Sequence, residues 1–141
     1  MRLSAEEIDL LRASFQHVAQ MQGQAAAIFY DRLFELAPET RALFATDLDH
    51  LGAKMISMLG AIVGQIHDIA VLAPRVGDLA RRHVGSGVRA RHYETMQAAM
   101  LWMLRQSLGP RFTPEVEAAW TRAFAALTRT MLEAAYPRDA G

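Results

Sequence analysis

Apolar residues recur along this chain at spacings of three and four, and no alternating run persists beyond a few residues, so the pattern predicts an all-α protein. Ser4-Ala5-Glu6-Glu7 has the form of a capping box, in which a hydroxyl and a carboxylate satisfy each other's backbone donors at a helix start. A first helix then carries the stripe Ile8, Leu11, Phe15 and Val18 until Gln22-Gly23-Gln24 interrupts it. A second runs from about Gln24 to Leu36 with Ile28, Phe29, Tyr30, Leu33 and Phe34, and Ala37-Pro38-Glu39 closes it and opens a short helical turn ending on Leu43-Phe44.

Asp47 or Asp49 is placed to cap the next helix, whose apolar face is Leu51, Met55, Met58, Leu59, Ile62 and Ile66, and which His67-Asp68 ends. Pro74 is expected to start a fourth helix bearing Val76, Leu79, Ala80 and His83 on one face before Gly85 and Gly87 stop it. A fifth begins near Ala90, shows Met96, Met100, Met103 and Leu104, and stops at Leu108-Gly109-Pro110. Thr113-Pro114-Glu115 starts the last, with Val116, Trp120, Phe124, Leu127 and Met131 facing inward and fraying near Pro137.

Such helices with short connectors must pack about one core, as an up-and-down bundle or as layers crossing at steeper angles, and periodicity alone does not choose between the two. The 141 residues suit a single domain. Fifteen acidic and fifteen basic residues balance, which points away from nucleic acid and anionic membrane surfaces as the main partner. The absence of cysteine removes disulfides, thiol nucleophiles, zinc-thiolate sites and iron–sulfur clusters, so a metal would be held by His, carboxylate or a prosthetic group. With an acidic N-terminal segment and no run long enough to span a bilayer, the expected setting is the cytoplasm.

The candidate chemistry centres on the stretch 79–93. His83 follows Val76, Leu79 and Ala80 on an apolar face at a helix end, where an imidazole is either a metal ligand or a core or surface histidine. No Ser/His/Asp set, phosphate loop or paired carboxylates stand out. The eight methionines read as flexible core filler, which would also suit an apolar pocket. His17 and His67 are expected in solvent, His92 on the helix surface, and Trp102 and Trp120 between helices. Arg81, Arg82, Arg89 and Arg91 form a local basic patch.

Several stretches, in order, carry a resemblance: Phe29-Tyr30, the run Pro38-Glu39-Thr40-Arg41-Ala42-Leu43-Phe44, residues 79–93, and Leu108-Gly109-Pro110-Arg111-Phe112-Thr113 followed by Ala119-Trp120. Together they resemble the globins, in particular single-domain bacterial haemoglobins, the haem domain of flavohaemoglobins and neuroglobin-like proteins. The resemblance covers nearly the whole chain and implies one globin domain over residues 1–141, folded as a three-over-three helical sandwich. It implies haem b (iron protoporphyrin IX) as cofactor, with His83 as proximal iron ligand, Phe44 stacked on the haem face, Tyr30 as distal hydrogen-bond donor and Tyr93 packed beneath the imidazole. Ungapped alignment back from His83 puts Leu51 at the distal position, Lys54 toward a propionate and Met55 over the haem centre. Leu51, Met55, Met58, Val88, Met96, Met100, Phe124 and Leu127 can supply walls, and Lys54 and Arg82 the polar edge. Shifting the register to make His50 distal would swing Lys54 into the pocket, where an unpaired ammonium costs several kcal/mol.

The implied function is reversible binding of O2, NO and CO, for oxygen transport or storage or for removing NO with an external reductase. NO dioxygenase turnover would need that reductase, since no flavin and NAD domain fits in the length. Departures from the family pattern bear on this. Leu51 donates no hydrogen bond, and the position aligned with a supporting glutamate on the last helix is Ala135, with Glu133 on another face. A haem-based gas or redox sensor acting through a protein partner is the alternative, and a haem-free helical interaction module is a third. Monomer and homodimer are both open.

Overall fold

The computed structural model describes residues 3–44, 48–85 and 90–135, and within them all side chains except those of residues 43, 44, 69, 70, 73, 84, 85, 90 and 135. The described residues form six α-helices and no strand: α1 (Ala5–Gln20), α2 (Gln22–Leu36), α3 (Leu48–Gly64), α4 (Ile69–Gly85), α5 (Ala90–Leu108) and α6 (Pro114–Ala135). Tight 3-10 turns occupy Pro38–Phe44 and Gly109–Arg111. α2 packs on α5 and α3, α4 on α6, and α1 on α6 and α3, which gives the all-α, three-over-three sandwich.

The helix ends follow local chemistry. Ser4 Oγ accepts from the Glu7 N–H while the Glu7 carboxylate accepts from the Ser4 N–H, the full capping box. α1 and α2 meet at Met21 (φ −126°, ψ 40°), so the break falls just ahead of Gln22 and Gly23 lies inside α2, two residues earlier than the polar cluster predicts. α4 begins five residues before Pro74, because Asp68 caps it through its carbonyl and carboxylate to the Val71 and Leu72 amides. Pro74 therefore sits inside the first two turns, where it removes one intrahelical donor. Gly109, at φ +56°, takes the left-handed conformation that ends α5. Thr113 Oγ1 accepts from the Val116 amide to start α6. Asp47, one of the two caps expected for α3, and Pro137 lie outside the described residues.

Two glycines allow helices on α3 to close up. A Cβ on Gly52 would lie 2.6 Å from the Ala26 Cβ of α2, and one on Gly60 would lie 2.9 Å from the Phe15 ring of α1. In the core Trp120, 1% exposed, donates its indole N–H to Ser14 Oγ at 2.8 Å, and the Ser14 hydroxyl in turn donates to the Leu10 carbonyl at 2.6 Å. Trp102 does not pack between helices as expected. It is 37% exposed on the outer face of α5, with the Arg32 guanidinium 4.3 Å from its ring centre. Among the described residues no helix is long and apolar enough to cross a membrane.

Candidate functional site

Periodicity delivers His83 to the last turn of the inner face of α4. Leu72, Val76 and Ala80 on that face are sealed, whereas Leu79 and His83 are only half-covered. His83 Nδ1 lies 2.7 Å from the Leu79 carbonyl oxygen, one turn back. A carbonyl oxygen can only accept, so Nδ1 carries the hydrogen and, in the neutral ring, Nε2 keeps its lone pair. Burial holds the imidazole pKa below its ordinary value, against the smaller opposing pull of the Leu79 hydrogen bond, and the ring is therefore neutral at pH 7. Tyr93, buried on α5, lies across it with ring centroids 6.3 Å apart and planes at 28°. The carbonyl and the phenol ring together set the direction of a neutral nitrogen donor, the state in which histidine binds a metal.

On α3 there are two adjacent apolar stripes. Gly52, Ile56, Leu59 and Val63 are buried, while Leu51, Met55 and Met58, which share a neighbouring face, are half-covered although packed against the core. Met96 and Met100 of α5 and Leu127 of α6 are also half-covered, and Phe124 is buried. Large apolar side chains left partly open on the inward faces of a well-packed domain are what a pocket for a flat apolar group requires.

Tyr30, on α2, is buried edge-on to Phe29 at 5.0 Å and stacked at 6.0 Å on Phe34. Its ring lies against α3, since a Cβ on Gly52 would be 3.8 Å away, next in sequence to Leu51. Burial pushes its phenol pKa up, so near neutral pH it keeps its O–H and remains a donor. Tyr30 also lines a cavity of about 280 Å³ floored by Ala26, Ala27 and Ala53, with Asp31 and Asp49 on its wall.

Lys54 and Arg82 are exposed, as is His50. The side chain of Phe44 and the whole of Val88 lie outside the described residues, as do Arg89 and the side chain of Ala135. Glu133 is exposed. Among the described residues no group of three or more His, Cys, Asp or Glu could hold a bare metal ion. The lone donor His83 therefore suits a metal whose remaining in-plane ligands arrive with it, and the donor set fits a haem iron.

One histidine of this region stands where sequence reading did not put it, and another stands where it did. His92 is buried (4% exposed), not on the helix surface, with Nε2 3.8 Å from Glu39 Oε1 in the Pro38–Phe44 turn. Spacing held the signal: Ala99 follows His92, Met103 follows Ala99, and all three lie on one buried α5 stripe at intervals of seven and four. His67 is exposed, and its Nδ1 lies 2.8 Å from Arg12, which also reaches the Gly64 carbonyl at 3.0 Å. Within the basic patch, Arg81 pairs with Asp78.

The globin family profile matches residues 27–131, and the chain belongs to the globin family. It is 30% identical over 125 residues to a flavohemoprotein of Rhodopirellula baltica, covering 86% of this chain and 31% of that protein. Against a flavohemoprotein of Bordetella parapertussis it is 31% identical over 149 residues, covering 99% of this chain and 37% of the relative. Against neuroglobin of Danio rerio it is 25% identical over 145 residues, with 92% and 91% covered. The chain thus spans about a third of the length of the flavohemoproteins it matches. Family membership implies a haem-type cofactor and contact with diatomic gases as general properties.

Proposed function

We propose that the chain binds haem b through His83 and holds O2, NO or CO reversibly at the iron, serving oxygen binding and transport in the cytoplasm or removing NO with an external reductase. The observation that carries this reading is the 2.7 Å hydrogen bond from His83 Nδ1 to Leu79, in a half-covered and neutral imidazole whose other nitrogen keeps its lone pair. When bound, the haem iron would supply an open coordination position for a small gas molecule. The chain's residues do the rest. Leu51, Met55, Met96, Met100, Phe124 and Leu127 would wall off water, and Lys54 and Arg82, both exposed, would offer their cations to the propionates. Tyr93 and the Leu79 carbonyl keep the imidazole from rotating. Tyr30 holds its proton and can donate it in a hydrogen bond to a ligand oxygen, a role Leu51 has no group to share.

Absorption spectra of purified protein in ferric, ferrous and CO-bound forms test the reading directly. Haem bands in the wild type and loss of most haem from His83→Ala, with helical circular dichroism retained, are expected. A colourless wild type that takes up no hemin, or an unchanged haem-to-protein ratio in the variant, would overturn it.

A further inference from the structure

The outer face of α5 is independent of the haem reading. Arg91, Glu94, Ala98, Trp102, Arg105 and Gln106 are exposed along it, and Thr95 is half-exposed. With 3.6 residues per turn, positions 91, 98 and 102 form its centre line, Glu94 and Arg105 fall on one flank, and Thr95 and Gln106 fall on the other. Trp102 is 37% exposed, an unusual place for the largest apolar side chain on a helix whose other face is sealed by Ala99, Met103 and Leu104. The ring is held, not loose, because Arg32 of α2 covers it at 4.3 Å and Arg32 is itself tied to Glu35 at 3.4 Å.

We propose that this face is a homodimer interface in which α5 packs antiparallel on α5 of a second copy about a two-fold axis level with residue 100. Such an axis sets residue i opposite residue 200 − i and keeps each flank with the same flank of the other copy. Trp102 then faces Ala98, a large side chain over the smallest one on the stripe, which lets the helix axes approach to roughly 8–10 Å. Glu94 faces Arg105 at nearly the same height and on the same flank, and Thr95 faces Gln106 on the other. The Glu94–Arg105 and Thr95–Gln106 pairs each occur twice, and Arg91 falls opposite the Gly109 turn at the end of the contact. A helix face with this antisymmetry is self-complementary, as a two-fold contact demands. Trp and Arg, the residues most enriched at the energetic centre of interfaces, occupy the middle of the patch. Arg32 of α2 and Glu117 of α6, which holds Arg105 at 3.0 Å, widen the footprint beyond a single helix.

Sedimentation equilibrium of the full-length chain over a wide concentration range tests the interface. The wild type is expected to dimerise. Trp102→Glu is expected to raise the dimer dissociation constant by about thirty-fold or more with unchanged helical circular dichroism. Glu94→Arg and Arg105→Glu should each weaken the dimer, and the double reversal should recover part of the loss, because it restores the opposed pair with its signs exchanged while the Arg105–Glu117 pair within each copy stays broken. A wild type that stays monomeric to about millimolar concentration, a dimer indifferent to Trp102→Glu, or a double reversal no better than its single variants would each overturn the proposal.

Discussion

Ala26 and Gly52 meet where α2 crosses α3, so closely that a Cβ at position 52 would stand 2.6 Å from the Ala26 Cβ. Both atoms belong to residues whose only freedom is that of the helix backbone, so any side chain at 52 must push the helices apart. The same crossing sets Tyr30 against α3, one residue from Leu51.

Gly52→Val is expected to lower stability by about 1–3 kcal/mol through overpacking, more than helix propensity returns. Gly23, also within a helix but with open space around it, is the control, and Gly23→Ala should leave stability unchanged or raise it by up to about 1 kcal/mol. Urea denaturation of both variants decides this. A Gly52→Val protein as stable as the wild type would show that the helices are free to separate there.

Ser14→Ala should cost about 1–3 kcal/mol, because it leaves the buried indole N–H of Trp120 without an acceptor. In a double-mutant cycle with Trp120→Phe the two losses should fall short of adding, since the second substitution removes the stranded donor.

Glu7 links pH to the anchoring of α1 on α6. The Ser4 backbone N–H, first, and then the Ser4 hydroxyl and Arg122 hold its carboxyl below the usual carboxylate range, outweighing the effect of its slight burial. The unfolded chain then binds this proton more readily than the folded one. The contribution is fully present above the ordinary carboxylate pKa and disappears as pH falls through the lowered one. Glu7→Gln should therefore flatten the decline in thermal midpoint below about pH 4.5, measured at matched ionic strength, while an acid limb identical to the wild type's would show the capping box to be inert.

With haem bound as proposed, Tyr30→Phe should speed O2 dissociation by about ten-fold or more, the loss of one buried hydrogen bond. CO, which accepts hydrogen bonds poorly, should leave at a nearly unchanged rate. Stopped-flow measurements on both ligands separate a lost hydrogen bond from a general loosening of the pocket, which would speed both alike.

The elements were largely readable before any coordinates, and particular residues show why. Ser4 and Glu7, Gly109, and Thr113 with Pro114 act on amides within four residues of themselves, so their effect is written in the sequence as a spacing. The exceptions are also local. Asp68 looked like the end of one helix and is the cap of the next, and a capped start overrides the preference of Pro74 for a first turn. For the site, His83 was legible from its place after Val76, Leu79 and Ala80, but its tautomer was not, because that depends on a carbonyl distance. Trp102 and His92 were misplaced for a different reason. Hydrophobicity puts a tryptophan inside, and its place beside Tyr93 put His92 on the helix surface, whereas the packing of α2 and of the Pro38–Phe44 turn against α5 leaves the first 37% exposed under Arg32 and closes over the second.

Order along the chain was thus enough to establish six helices, most of their starts and stops, and membership of an all-α class, since capping, proline geometry and 3.6-residue periodicity all act over one or two turns. Which apolar side chains are sealed and which stand half-open, where α2 and α3 touch through Gly52, and which imidazole nitrogen keeps its lone pair were decided only when the helices packed. Burial and direction are relations between segments distant in sequence, and local spacing encodes them only in part.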